Sequence, residues 1–222
     1  MKTLIAIYLI VLIALLAVCD NDYSKKYYVP LKTVCSASFM LIVLIAAMRD
    51  VAEGDWYGRA LIVPLTFCFV GDVFMGLYNQ KRNKNHLLWG IIAFMSAHVV
   101  FLAALHMMHP KEDIWLVIGA LTMVLIMVAI SKLSHLHLGK MVYISLVYCF
   151  MVSLMCAKSI QFGLTGGKAT MALVGGILFL SSDFSILYLY FYHFKNKRLK
   201  QRVHWFNLIS YYIGILFFCL SI

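Results

Sequence analysis

The sequence is poor in charged residues. Only 13% of its 222 residues are Asp, Glu, Lys or Arg, whereas 64% are hydrophobic. Soluble domains carry about 25% charged and about 45–50% apolar residues, so this composition excludes a soluble globular domain and a disordered chain. A polytopic membrane protein remains. Eight spans of about 20 residues would use most of the chain, which leaves no room for a separate soluble domain.

Residues that support other kinds of chemistry are also scarce. The six cysteines lie within or at the ends of apolar runs and form no C-x-x-C pair. We interpret them as small buried hydrophobes rather than as disulfides or zinc ligands. No span contains an H-x-x-x-H or H-E-x-x-H sequence, so we predict neither a metal nor a cofactor. The three prolines break no long span, which disfavours a carrier built on broken helices.

The long apolar runs between charged residues predict an all-α fold with eight transmembrane helices. They show no period-two alternation, which disfavours a transmembrane barrel. We expect one integral membrane domain over residues 1–222, with a weak indication of two parallel four-helix halves. The predicted spans are residues 4–19, 28–48, 60–78, 87–107, 115–130, 141–157, 171–192 and 205–221.

The distribution of the 19 basic residues predicts the orientation. Six lie at the N-terminus and in the second, fourth and sixth loops, and thirteen lie in the other loops and their flanks. The positive-inside rule then places the second group in the cytoplasm and both termini outside a bacterial inner (plasma) membrane. We interpret the basic residues as contacts to anionic membrane lipids rather than to nucleic acid. Residues 1–19 resemble a lipoprotein signal, but Val18 fits that pattern poorly, and we favour a retained helix.

Two acidic residues, Asp72 and Asp183, lie inside predicted spans. Acidic side chains at membrane depth are costly and usually functional, although a neutral Asp can also join helices by hydrogen bonds. In the predicted orientation both lie in the cytoplasmic leaflet, about 9 Å and about 14 Å from the inner helix ends. They are 111 residues apart, half the chain, which is the basis for the suggestion of two halves.

Other polar residues within or at the ends of the predicted spans are further candidates for a site. His98, in the fourth span, could orient water or move a proton, or could only make an interhelical hydrogen bond. Lys32 is interpreted first as a snorkelling lysine, and alternatively as a cation that holds a phosphate or pairs with a carboxylate. Helical periodicity places further polar side chains on the faces of the third, seventh and eighth spans. We assign substrate binding to Lys32, Asn79, Tyr190, Asn207 and Tyr211.

Three stretches of sequence resemble a known family. They are Gly71-Asp72 in the third span, Gly90-x-x-x-Phe94-x-x-x-His98 in the fourth, and Ser182-Asp183 in the seventh. Their order resembles that in the YhhN family, which includes the vertebrate lysoplasmalogenases. The resemblance covers most of the chain from Lys32 onward. It implies hydrolysis of the vinyl ether bond of a lysophospholipid, giving a fatty aldehyde and a glycerophospho-base.

Vinyl ether hydrolysis fits two carboxylates. Protonation of the β-carbon creates an oxocarbenium ion, so the site needs a protonated acid and an anion that stabilises the cation and activates water. We predict that Asp72 and Asp183 form this pair and that His98 positions water or a proton. A proton-coupled transporter of a small or lipid-like substrate and a non-catalytic lipid-binding protein are the alternatives.

Overall fold

The computed structural model describes residues 1–19, 25–52, 55–111 and 114–222. Over these residues the chain forms eight α-helices and two short 3₁₀ segments, without strands, which confirms the predicted all-α class. The helices are α1 (Lys2–Val18), α2 (Tyr28–Ala52), α3 (Tyr57–Lys81), α4 (Lys84–Met108), α5 (Ile114–Leu133), α6 (Val142–Gly163), α7 (Ala169–Phe191) and α8 (Lys197–Leu220).

Seven of these helices, α2 to α8, are long and apolar enough to cross a membrane. They have between 20 and 25 residues, and about 20 residues suffice for a hydrocarbon core about 30 Å thick. Helix α1 is also apolar but has 17 residues, at the lower end of the spanning range of about 17–25. The protein is therefore an integral membrane protein, as its composition predicts.

Two helices extend well beyond the apolar runs that predict them. Helix α8 begins at Lys197, whereas the predicted span begins at residue 205, because the basic segment before the apolar run is also helical. Helix α6 continues to Gly163, past the predicted end at residue 157. The assignment of Lys158 to a loop is therefore wrong. A hydropathy pattern stops at a charge, but the helix itself continues, and in α6 the charge of Lys158 is satisfied by hydrogen bonds.

The chain divides into two compact units. The first comprises residues Met1–Ala104 and Phe218–Ile222, and the second comprises Leu105–Phe217. The first unit thus holds α1, α2, α3 and most of α4, and the second holds α5, α6, α7 and most of α8. Each has its own fully buried apolar side chains, such as Leu65 in the first and Phe179 in the second. A single membrane domain and a duplicated origin of two halves stay predictions.

Two carboxylates shape the start of α3 within the first unit. Asp50, near the end of α2, accepts a hydrogen bond from the Gly58 amide at 2.6 Å. Asp55 accepts hydrogen bonds from the amides of Trp56 at 2.6 Å and Tyr57 at 3.2 Å. The first amides of a helix have no partners within it, and carboxylates satisfy them while complementing the helix dipole. These two acidic residues therefore have structural roles.

Lys158 is the corresponding buried charge of the second unit. Its side chain lies on α6 with 1% of the residue exposed. The ammonium donates hydrogen bonds to the carbonyl oxygens of His109 at 2.7 Å and Lys111 at 2.8 Å, and to Gln161 Oε1 at 2.6 Å. The three donors of a lysine are thus matched by three oxygens. Lys158 joins α6 to the chain that follows α4.

Replacing Lys158 by Met should destabilise the protein by about 3 kcal/mol, because hydrogen bonds to a buried charged group are lost and carbonyl oxygens stay buried. The expected result is a lower unfolding midpoint for purified protein in detergent. Lys132→Met, at the exposed end of α5 in the same unit, is the matched control and should leave the midpoint unchanged. Equal midpoints for both variants would show that the Lys158 contacts contribute nothing.

Candidate functional site

The carboxylate of Asp72 lies at the centre of a buried polar cluster in the first unit. Asp72 is fully buried, and the Lys32 Nζ donates a hydrogen bond to its Oδ1 at 2.6 Å. The Ser36 hydroxyl donates to its Oδ2, also at 2.6 Å. Both oxygens therefore accept short hydrogen bonds, one of them within an ion pair. This is the contact pattern of an ionised carboxylate, which can only accept.

The spacing of Lys32 and Ser36 explains how α2 builds this cluster. Residues four apart lie one above the other on a helix, so both side chains reach the same face of α3. Lys32 is 6% exposed, and its ammonium forms an ion pair with the buried Asp72. Its interpretation as a snorkelling lysine is therefore wrong, and the alternative, a cation paired with a carboxylate, is confirmed.

Close packing of α3 against α4 holds the Asp72 segment in place. A Cβ atom at Gly71 would lie 2.8 Å from the ring of Phe94, and one at Gly90 would lie 2.8 Å from the sulfur of Met75. Neither distance is compatible with a side chain larger than hydrogen unless the neighbour moves. Gly71 and Gly90 therefore let bulky side chains of the facing helix approach the backbone, as small residues do between membrane helices.

His98 is fully buried on α4, one helical turn beyond Phe94. Two contacts show that α3 and α4 run antiparallel: Met75 faces Gly90, and Gly71 faces Phe94. A step of four residues towards the start of α3 therefore corresponds to a step of four residues towards the end of α4. His98 therefore lies at the level of Phe67, about 7.5 Å along the helix axis from the level of Asp72. Its role in moving a proton or orienting water stays a prediction.

Asn79 continues the polar face of α3 beyond Asp72. It is half-buried, and its amide Nδ2 donates a hydrogen bond to the Tyr28 hydroxyl at 3.3 Å. Tyr28 begins α2, one turn before Lys32. The same two helices thus carry both contacts, so Asn79 and Lys32 belong to one polar seam between α2 and α3. A binding role for Asn79 stays a prediction.

Asp183 has its own surroundings in the second unit. It is 6% exposed, and the Tyr148 hydroxyl of α6 donates to its Oδ2 at 3.0 Å. Beside it, Ser182 binds Asn207 of α8: the Asn207 amide donates to the Ser182 carbonyl oxygen at 2.9 Å and to its hydroxyl oxygen at 2.8 Å. The Ser182 hydroxyl donates in turn to the Asn207 carbonyl oxygen at 3.1 Å. The structure therefore gives Asn207 a helix-joining contact.

The two tyrosines assigned to substrate binding differ in burial. Tyr211 on α8 is 5% exposed, and its ring packs edge-on against Phe179 of α7, with centroids 5.3 Å apart. One turn further along α8, a Cβ at Gly214 would lie 3.1 Å from the Gly175 carbonyl oxygen, so the two helices pack closely there. Tyr190, near the end of α7, is only half-buried. Substrate binding by either residue stays a prediction.

The sequence model of the YhhN family matches residues 31–222. The chain belongs to the YhhN family. Comparison with curated proteins gave no match, and neither did comparison with solved structures. The matched residues include Asp72, Asp183 and all of their partners described above, whereas Tyr28, the partner of Asn79, lies outside the match.

The geometry gives the short YhhN-like motifs a physical meaning. In this YhhN-family protein, Gly71 of the Gly-Asp motif packs on Phe94 of the Gly-x-x-x-Phe-x-x-x-His motif. Ser182 of the Ser-Asp motif is bound by Asn207. The residues beside the carboxylates thus fix helix packing, and the carboxylates face hydrogen-bond donors.

Sequence reasoning missed two polar partners. Ser36 shares a face with Lys32, so its spacing was a usable signal. Tyr148 gave none, because a single tyrosine in an apolar helix has no spacing that singles out Asp183 as its partner. Among the described residues of this YhhN-family chain, no group of three His, Cys, Asp or Glu side chains could hold a metal ion.

The Lys32–Asp72 pair should show strong energetic coupling. Lys32→Met or Asp72→Asn alone should lower the free energy of unfolding by about 3–5 kcal/mol, because each substitution leaves the other charge buried without its oppositely charged partner. The double variant should lose less than the sum of the two single losses. Chemical unfolding of the purified protein in detergent measures all three, with Lys81→Met at the exposed end of α3 as the control. Strictly additive losses would contradict the coupling.

Proposed function

We propose that this protein is an intramembrane hydrolase that cleaves the vinyl ether bond of lysoplasmalogen-type lysophospholipids. Two facts support the proposal: the chain belongs to a family that includes lysoplasmalogenases, and it buries the Asp72 carboxylate with Lys32 and Ser36 between apolar helices. The observation that carries most weight is the burial of Asp72 between an ammonium and a hydroxyl. An ionisable group kept at membrane depth is a functional candidate.

The reaction adds one water molecule and breaks one carbon–oxygen bond. An acid donates a proton to the β-carbon of the vinyl ether, and the adjacent carbon becomes part of an oxocarbenium ion. Water adds to that carbon and loses a proton, which returns to a base, and the resulting hemiacetal collapses. The products are a fatty aldehyde and the alcohol of the glycerophospho-base. The enzyme must therefore supply a proton, an anion and a place for water.

Asp72 suits the role of the anion. Its two oxygens accept hydrogen bonds from Lys32 and Ser36. Its negative charge would stabilise the oxocarbenium ion and help to activate the attacking water. Because the site is preorganised by short hydrogen bonds, little reorganisation is needed when the positive charge develops.

Asp183 is the second carboxylate of the proposed acid/base pair. Because Asp72 carries the contacts of an anion, we assign the proton-donating role to Asp183. The Tyr148 hydroxyl, which donates to Asp183 Oδ2 at 3.0 Å, fixes the orientation of the carboxyl group. A protonated acid and an ionised carboxylate in two different environments follow the pattern by which other enzymes divide acid and base roles between carboxylates. His98 stays a proposed auxiliary group.

The orientation of the protein is part of the proposal. The excess of basic residues in the odd-numbered loops would place those loops in the cytoplasm and both termini outside. Asp72 and Asp183 would then lie in the cytoplasmic leaflet, where a lysophospholipid headgroup meets the basic surface. The spanning helices expose large apolar side chains such as Ile118 and Leu125, which suits contact with the bilayer that carries the substrate.

A proton-coupled carrier is the second candidate. The observation that favours it is the same buried Lys32–Asp72 ion pair, since ionisable pairs within spanning helices also mark proton pathways. The two candidates differ in what they produce. A hydrolase releases aldehyde in detergent, where no gradient exists, whereas a carrier moves substrate across a liposome membrane and leaves it intact.

Asp72→Asn and Asp183→Asn should each reduce aldehyde release by at least about 10²-fold, the lower range for loss of a general acid or base. Purified protein in detergent is supplied with plasmenyl and ester lysolipids, and aldehyde is measured by mass spectrometry. Asp55→Asn is the matched control, because an amide oxygen can still accept hydrogen bonds from the Trp56 and Tyr57 amides. Its activity should equal that of the parent protein.

Each variant is first checked for membrane insertion and for its elution as a folded protein. Full activity in a folded Asp72→Asn or Asp183→Asn variant would refute the assignment of that residue. If the parent protein releases no aldehyde from any lysolipid but drives substrate flux in liposomes, the carrier is the correct function. Binding without product or flux would identify a non-catalytic lipid-binding protein.

A further inference from the structure

The second unit contains a large cavity that the proposed chemistry does not use. It has a volume of about 1020 Å³ and lies between the C-terminal ends of α5 and α7 and the first half of α8. Pockets of about 300–1000 Å³ commonly hold small ligands. We call this cavity the basic pocket, because Arg202, His135, His137 and His193 line it.

The lining of the basic pocket has charge of one sign only. Arg202 contributes a permanent positive charge, and the three histidines add ring N–H donors. None of its described lining residues is acidic. The side chains of Ser134 and Tyr188 add two hydroxyl groups that share one hydrogen bond, whereas the Ser185 hydroxyl donates to the Ser182 carbonyl oxygen. This donor set fits a phosphate, which accepts several hydrogen bonds and pairs with a guanidinium in a bidentate way.

Backbone and side-chain contacts hold the histidine-bearing loop against α7. The His137 amide donates a hydrogen bond to the Phe191 carbonyl oxygen at 2.9 Å, and the hydroxyls of Ser134 and Tyr188 lie 3.1 Å apart. His135 has a φ of 51°, in the left-handed region, which turns the chain sharply between these two contacts. The loop is therefore tied to the helix at two points, and its two histidines share the pocket with Arg202.

The remaining walls of the basic pocket are apolar. They include Ile130, Leu133, Phe184, Phe194, Leu199, Val203 and Phe206, with Ser181 and Tyr192 as the other lining residues. Ligands that match such a cavity have a phosphate at one end and hydrocarbon at the other. Basic pockets between membrane helices recognise anionic lipid headgroups in this way. The helix ends that form the pocket are those that the distribution of basic residues predicts to be cytoplasmic, where anionic lipids are found.

The basic pocket is separate from the Asp183 carboxylate. Ser181, Phe184, Ser185 and Tyr188 line the pocket and share one face of α7, since they follow helical spacing. Asp183 lies on another face and contacts Tyr148 of α6, which is not part of the lining. The pocket therefore offers a second binding site rather than an extension of the acid/base residues.

We propose that the basic pocket binds the phosphate headgroup of an anionic phospholipid of the bilayer. Arg202 holds the phosphate, the histidines and hydroxyls complete its hydrogen bonds, and the start of an acyl chain lies along Phe184 and Phe206. This inference does not rest on the hydrolase proposal, because it concerns a different face of α7 and is tested by binding alone.

Native mass spectrometry of the delipidated full-length protein in detergent tests the proposal. The probes are phosphatidylglycerol and phosphatidylcholine with identical acyl chains. We expect phosphatidylglycerol to bind at least about tenfold more tightly than phosphatidylcholine. Arg202→Gln should weaken the binding of phosphatidylglycerol about tenfold, because one charge-assisted contact is lost. Arg202 is exposed, so this variant should fold normally.

Two further variants separate the pocket from general surface charge. Arg198→Gln removes the same charge from the same helix but from outside the lining, and should leave the affinity unchanged. Leu199→Trp, at the exposed mouth, narrows the pocket without changing its charge and should also weaken binding. Equal losses for Arg198→Gln and Arg202→Gln, or an unaltered affinity in Leu199→Trp, would overturn the proposal.

Glycerol phosphate and inorganic phosphate distinguish a lipid from a soluble ligand. If they neither bind strongly nor displace phosphatidylglycerol, the acyl chain contributes to binding and the proposal stands. If either binds as tightly as the lipid and displaces it, the occupant is a soluble phosphate and the proposal of a lipid is wrong. Equal affinity for phosphatidylglycerol and phosphatidylcholine would likewise refute it.

Discussion

A lysine ammonium and an aspartate carboxylate meet at 2.6 Å inside the apolar interior of the first unit. Neither charge is tolerable there alone, because a buried ion without a partner loses hydration and gains nothing in return. The pair fixes α2 against α3, and Ser36 satisfies the oxygen that Lys32 does not reach. The packing of Gly71 on Phe94 then determines where α4 lies. Helix arrangement in this unit thus depends on neutralising Asp72.

The second unit also buries an ammonium group, that of Lys158. It donates hydrogen bonds to two backbone carbonyl oxygens and to an amide oxygen, so neutral dipoles contribute to its stabilisation. Asp183 accepts a hydrogen bond from a tyrosine hydroxyl, and Ser182 and Asn207 bind each other between α7 and α8. Hydrogen-bond donors and acceptors of this kind join membrane helices because lipid offers no alternative partner.

The sequence was sufficient to predict the fold class, the number of helices and the position of Asp72 and Asp183 inside helices. The length of an apolar run and an isolated charge within it are local properties of a chain. The sequence was insufficient for contacts between distant residues. Lys32 carries the same local pattern whether it reaches the lipid headgroups or Asp72, and only the packing of α2 on α3 decides between them. Lys158 shows the same limit. Its charge alone predicts a loop, whereas the structure places it in a helix, where the carbonyl oxygens of residues 109 and 111 accept its hydrogen bonds. Tyr148 has no local signal at all.

The order of the buried groups along the chain has a consequence for biosynthesis. Asp72 leaves the ribosome after Lys32, Lys158 after the carbonyl oxygens of residues 109 and 111, and Asp183 after Tyr148. Asp72, Lys158 and Asp183 therefore enter the membrane when at least one of their partners has already been made. Lys32, the early member of its pair, lies near the beginning of α2 and can extend to the headgroups until α3 arrives. The succession of helices during translation thus spares the bilayer an isolated charge.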